Sequence, residues 1–116
     1  MADIHFNKIT ELMGDDEEMF IEMLEVYLED IPVSIQEIEE AWNSKTYENL
    51  KAPAHKLKSS ITYLNLMEAH ESMRFLEDFA QNGGDITEAE KHVQTAKNDC
   101  NEALVAIAEK LKEVKG

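Results

Sequence analysis

Apolar residues in this chain recur every three or four positions and keep their phase across both of its prolines. From Phe20 the series runs through Leu24, Tyr27, Ile31, Ile35, Ile38 and Trp42, straight past Pro32. That spacing is the period of one helix face, and no stretch reads as strand. Pro32 removes a backbone donor and crowds the preceding turn. An unbroken phase across it predicts one long bent helix rather than two. A second series, Tyr47, Leu50, Ala54, Leu57, Ile61 and Leu64, crosses Pro53 in the same way. It predicts a second kinked helix from Thr46 to Leu64, with Asn65 as a left-handed stop.

The remaining series are Leu66, Ala69, Met73, Leu76 and Ala80, ending at Gly83 and Gly84, and then Ala89, Val93, Ala96, Cys100, Ala103, Leu104, Ile107 and Leu111. Asp15 with Glu18, and Asp85 with Glu88, have the spacing of capping boxes. A short helix around Asn7 to Met13 is expected before the long ones, and the closing EKLKEVKG is expected to fray. Four long amphipathic helices with short connections define an all-α fold. The expectation is an antiparallel up-down four-helix bundle with a short extra N-terminal helix. The 116 residues suit a single bundle domain spanning 1–116.

Charge narrows the partners. Eleven Lys and Arg stand against 25 Asp and Glu, a formal net charge of -14. Phosphate backbones and anionic lipid would be repelled, so neither nucleic acid nor membrane is an expected partner, and a monomer is expected. Cys100 is the sole cysteine, which excludes an internal disulfide and fits a reducing compartment. The N-terminus lacks a basic segment followed by an apolar run, and no run is long enough to span a bilayer. The expected location is cytoplasmic.

Bundles can hold di-iron centres through Glu-x-x-His motifs, but Ala52, Met67 and Ala89 stand three residues before His55, His70 and His92. No Gly-rich phosphate loop is present, and the NGGD stretch reads as a turn between helices. No metal, no cofactor and no autokinase activity are expected. Cys100 lies on a core stripe and reads as a small buried hydrophobe. His5 reads as surface, and His70 and His92 as boundary residues.

One stretch departs from this pattern. Between Lys8 and Lys45 there is no basic residue, yet Lys45, Lys51, Lys56 and Lys58 then fall within 14 positions that hold one acid, Glu48. With the second apolar series toward the core, His55 points about 140° away from it. Lys51, Lys58, Ser59 and Thr62 share that outer face. Ala52 and Ser59 are small and would let another protein approach. A histidine among lysines is ordinarily solvated surface. Chemically, however, a neutral imidazole is a good nucleophile toward phosphorus, and an ordinary pKa near 6.5 leaves it largely unprotonated at neutral pH. Phosphoryl transfer needs in-line positioning and positive charge on the equatorial oxygens. Lys58, one turn away, can supply that charge, with Lys56 and Lys51 at longer range.

These residues carry a resemblance. The segment AHKLKSSITYLNL resembles the signature of histidine-containing phosphotransfer (HPt) domains, roughly Ala-His-x-Leu-Lys-Gly-Ser followed by Leu-Gly. The segment DIHFNKITELMGDDEEMFIEMLEVYLEDIP looks like the N-terminal part of such domains, and KTYENLKAPAH like the approach to the histidine. RFLEDFA stands where the family carries a Leu-Glu pair on the next helix. The similarity covers about residues 3 to 80. It implies a phosphorelay intermediate in two-component signalling, with His55 as phosphoacceptor and Lys58, with Lys56, as phosphate-stabilising residues. Lys51, Ala52, Ser59 and Thr62 would form the docking surface. The implied partners are response-regulator receiver domains, which would supply the aspartate and Mg²⁺, or a hybrid sensor histidine kinase. Ser59 and Asn65 depart from the family's glycines, which bears on partner choice and transfer rate. The alternative is a binding or regulatory module of the same fold that transfers nothing. In that case His55 is incidental.

Overall fold

The computed structural model describes residues 4, 6–14 and 16–116. In chain order the helices are α1 (Asn7–Met13), α2 (Glu17–Asn43), a 3₁₀ turn (Tyr47–Leu50), α3 (Lys51–Ile61), α4 (Met67–Asn82) and α5 (Ile86–Lys115). There is no strand among the described residues. α2 packs on α3 and α5, and α4 packs on the same two, so the four long helices close into a ring. Cross-links show the antiparallel sense: Lys97 meets Glu39 and Lys115 meets Glu25, at 3.2 and 3.1 Å. The 30 residues of α5 set the length of the molecule, 45 × 23 × 20 Å, at about 1.5 Å per residue. α3 and α4 are shorter, and α1 packs on α2, burying Ile9 in the core and setting Phe6 edge-on to Phe20 at 6.3 Å.

The apolar series face inward as their spacing requires. Leu24, Ile31, Leu50, Leu57, Ile61, Leu64, Met73, Leu76 and Ile107 are fully buried in one continuous cluster. Trp42 and Ala80 are partly buried and pack on its edge. α2 continues through Pro32 as one helix. Its end turns sharply: Lys45 is left-handed (φ 59°), and the Thr46 amide donates to the Ala41 carbonyl at 3.0 Å. That pattern closes a helix by satisfying its last carbonyls. Trp42, Tyr47 and Phe79 then cluster at this end, with Tyr47 5.1 Å from Trp42 and 5.3 Å from Phe79. The cluster anchors the turn that leads into α3.

Three expectations are corrected. The stretch 46–64 is not one kinked helix: a 3₁₀ turn gives way to α3, which ends at Ile61. Pro53 falls in the first turn of α3, where amides lack intrahelical acceptors and proline's missing donor matters little. Asn65 does adopt the left-handed conformation (φ 60°), in the turn beyond the helix end. At the start of α2, Asp15 lies outside the described residues, as does His5. Asp16 supplies the cap, accepting from the Met19 amide at 3.0 Å. Asp85 caps α5 as expected, accepting from the Thr87 and Glu88 amides. Finally, the C-terminal segment does not fray. α5 runs to Lys115, and Leu111 and Val114 pack against the core.

Candidate functional site

His55 stands on the second turn of α3, its side chain 68% exposed. Ala54 and Leu57 of the same stretch are fully buried and anchor this part of α3 to the core. The outer face of α3 is not open all round. α4 runs antiparallel beside it and presents Glu77 next to buried Leu76. One carboxylate oxygen of Glu77 lies 2.7 Å from His55 Nδ1, and the other accepts from Lys58 Nζ at 2.6 Å. One turn earlier on α3, Lys51 Nζ donates to Gln81 Oε1 at 2.9 Å. Two polar rungs thus join the rims of α3 and α4 along the same line.

The protonation pattern follows from Glu77. Its side chain is 16% exposed. Burial pushes its pKa up, but the hydrogen bonds and charges of Lys58 and His55 outweigh that and hold it below the ordinary carboxylate value. An ionised carboxylate only accepts hydrogen bonds. The Nδ1 atom of His55 therefore carries the proton in the neutral ring, and the lone pair sits on Nε2. The ring is held through one nitrogen, on a side chain that is otherwise largely exposed.

Lys58, with a side chain 25% exposed, is held against Glu77 one turn C-terminal to His55. Lys56 is exposed and lies about 100° around the helix from His55, on the flank turned away from α4. Ala52, Ser59 and Thr62 are exposed. The Ser59 hydroxyl bonds back to the His55 carbonyl at 3.2 Å and the Thr62 hydroxyl to the Lys58 carbonyl at 2.9 Å. Both hydroxyl donors are thus spent on the backbone of their own helix. An open groove bordered by Glu37, Glu40, Pro53, Lys51, His55 and Glu77 runs from the end of α2 to the imidazole.

The family model described as Hpt domain matches residues 22–115. The chain belongs to the Hpt domain family. Neither curated proteins nor solved structures gave a match. The matched span of this Hpt domain takes in nearly all of α2 and the whole of α3, α4 and α5, and so extends past residue 80 into the last helix; α1 lies outside it. Hpt domains are phosphotransfer modules of two-component signalling, phosphoryl carriers rather than enzymes, and they interact with receiver domains. Among the described residues of this one, no helix is long and apolar enough to cross a membrane, and no group of three His, Cys, Asp or Glu is arranged to hold a metal ion.

Sequence reasoning finds His55 and Lys58 but gives Glu77 no role beyond membership of a Leu-Glu pair. One signal was available. Glu77 follows a core leucine, so it must lie at the edge of its helix's buried face, where a neighbouring helix can reach it. The other functional candidates stay apart. His92 accepts or donates to Ser72 Oγ at 2.9 Å and stacks on Phe75 at 4.2 Å. His70 is half-buried at the edge of α4. Cys100 is buried, and burial foremost, with Asp99 adding to it, pushes its thiol up to about 12.

Proposed function

We propose that this Hpt domain is a phosphorelay intermediate whose phosphoacceptor is His55 Nε2. The observation that carries the reading is the Nδ1–Glu77 contact at 2.7 Å on an imidazole otherwise turned to solvent. In the forward step the Nε2 lone pair attacks the phosphorus of a receiver's aspartyl phosphate. The N–P bond forms as the P–O bond breaks, and the aspartate leaves as a carboxylate with the bonding pair. The proton on Nδ1 stays in its hydrogen bond, so no base has to remove it. Glu77 stabilises the positive charge that the phosphorylated ring acquires. Reversal onto a second receiver's aspartate passes the group on.

Lys58 supplies the nearest fixed positive charge for the phosphoryl oxygens, and Lys56 adds charge at longer range. Lys51, Ala52, Ser59 and Thr62 form the face that docks the receiver. The receiver brings the aspartate and its Mg²⁺, and a hybrid sensor histidine kinase can carry such a receiver. A net charge of -14 favours a domain that works as a monomer, and a single buried thiol suits the cytoplasm.

Mixing the protein with receivers carrying labelled aspartyl phosphate tests the reading. Label should move onto the wild-type domain in an acid-labile, base-stable form and should not move onto His55→Gln. A wild-type domain that binds receivers yet takes no label from any of them would leave only a docking module of the same fold.

A further inference from the structure

Lys51 and Lys58 stand on opposite sides of His55, one turn before it and one turn after it on α3. They are held differently. Lys58 is bound to a carboxylate at 2.6 Å, whereas Lys51 is bound to the neutral amide of Gln81 at 2.9 Å. Both bonds have an ammonium donor, but only Lys58 also faces an opposing full charge, so Lys51 is the more easily released of the two. Lys58 also anchors the oxygen pair that orients the ring, so drawing it away would loosen His55. Lys51 carries no such duty, is exposed, and has a long flexible stem. Gln81 lies one turn from Glu77 on α4, which sets the Lys51 ammonium about 6 Å along the rim from the imidazole. Lys51, His55 and Glu77 border the same groove, while Lys56 and Lys58 do not.

Resting on the reading of His55 as phosphoacceptor, we infer that Lys51 is the mobile cation of the transfer step: it leaves Gln81 and meets the phosphoryl oxygens on the groove side while Lys58 stays on Glu77. This gives Lys51 a part in stabilising the transferring group, beyond docking. In the step above, the P–O bond breaks as the N–P bond forms, and the three equatorial oxygens then gain a second ammonium partner.

Single-turnover transfer from a phosphorylated receiver to the domain, measured across receiver concentration, tests it with Lys51→Gln, Lys51→Arg and Lys56→Gln. Lys56→Gln removes the same charge from the neighbouring flank. The maximal rate should fall about ten-fold in Lys51→Gln, as for loss of one charged partner of a phosphoryl group. The half-saturating concentration should change by a smaller factor than the maximal rate, because Lys51 is one of several docking residues whereas its contact to the phosphoryl oxygens forms in the transfer step. Lys51→Arg should recover most of the rate, and Lys56→Gln should lose about two-fold or less through long-range charge alone. A wild-type maximal rate in Lys51→Gln, a loss confined to the half-saturating concentration, or an equal loss in Lys56→Gln would overturn the inference while leaving His55 as acceptor. Absence of label on the wild-type domain would instead overturn the reading of His55, and this inference with it.

Discussion

At the scale of single residues, the site rests on one carboxylate shared by an imidazole and an ammonium. Replacing Glu77 with Gln keeps its shape but removes the charge that fixes the ring's tautomer. The variant should fold, should transfer phosphoryl at least ten-fold more slowly, and should lose about 1 kcal/mol of stability at pH 7, since one partner is well exposed and screened. The sign with pH follows from the depressed pKa of Glu77. Its ion pair stabilises the fold fully above the unfolded value near 4.5 and is lost as pH falls through the lower folded value. Urea unfolding of wild type and Glu77→Gln should therefore differ at pH 7 and converge as pH falls through the depressed folded value of Glu77. A gap that widens toward acid pH would contradict the assignment. His55 was legible in the sequence because it breaks the solvent-side charge pattern. Glu77 was not, because its partner sits 22 positions away and only packing of α3 on α4 brings the two together.

At the scale of elements, hydrophobic period located every long helix, since burial of a stripe is what holds a helix in place. It failed at the boundary before the site. Phase alone cannot tell an α-helix with a proline inside it from a 3₁₀ turn joined to a helix with a proline in its first turn, because both keep the apolar residues on one side. The two cases make opposite predictions for Pro53→Ala. A proline buried in a helix interior costs stability, so its removal would help. In the first turn of α3, with its φ already suited to the helix, Pro53 restricts the unfolded chain and is buried. Pro53→Ala should thus lower stability by about 0.5–1 kcal/mol in denaturant unfolding. A gain of similar size would mean that the turn is strained. The full length of α5 is a related case: the tail expected to fray instead carries Lys112 and Lys115 in a last turn whose carbonyls favour cations.

At the scale of the whole molecule, composition and period sufficed for an all-α bundle, but not for the register of its helices. Which face of α3 looks at α4 depends on the five-residue turn after Ile61, with Asn65 left-handed, and on the aromatic cluster at the far end. Those two fixtures bring Lys51 level with Gln81 and His55 level with Glu77. The charge of the molecule is organised around the same place, with the long acidic face of α2 on one side and the lysines of α3 on the other. The central claim is that one nitrogen of one histidine receives the phosphoryl group. A phosphorus–nitrogen correlation spectrum of the phosphorylated domain with ¹⁵N-labelled histidine reads that atom directly. Coupling of phosphorus to Nε2 of His55, with Nδ1 still protonated, is the predicted result; coupling to Nδ1, or to His5, His70 or His92, would contradict it.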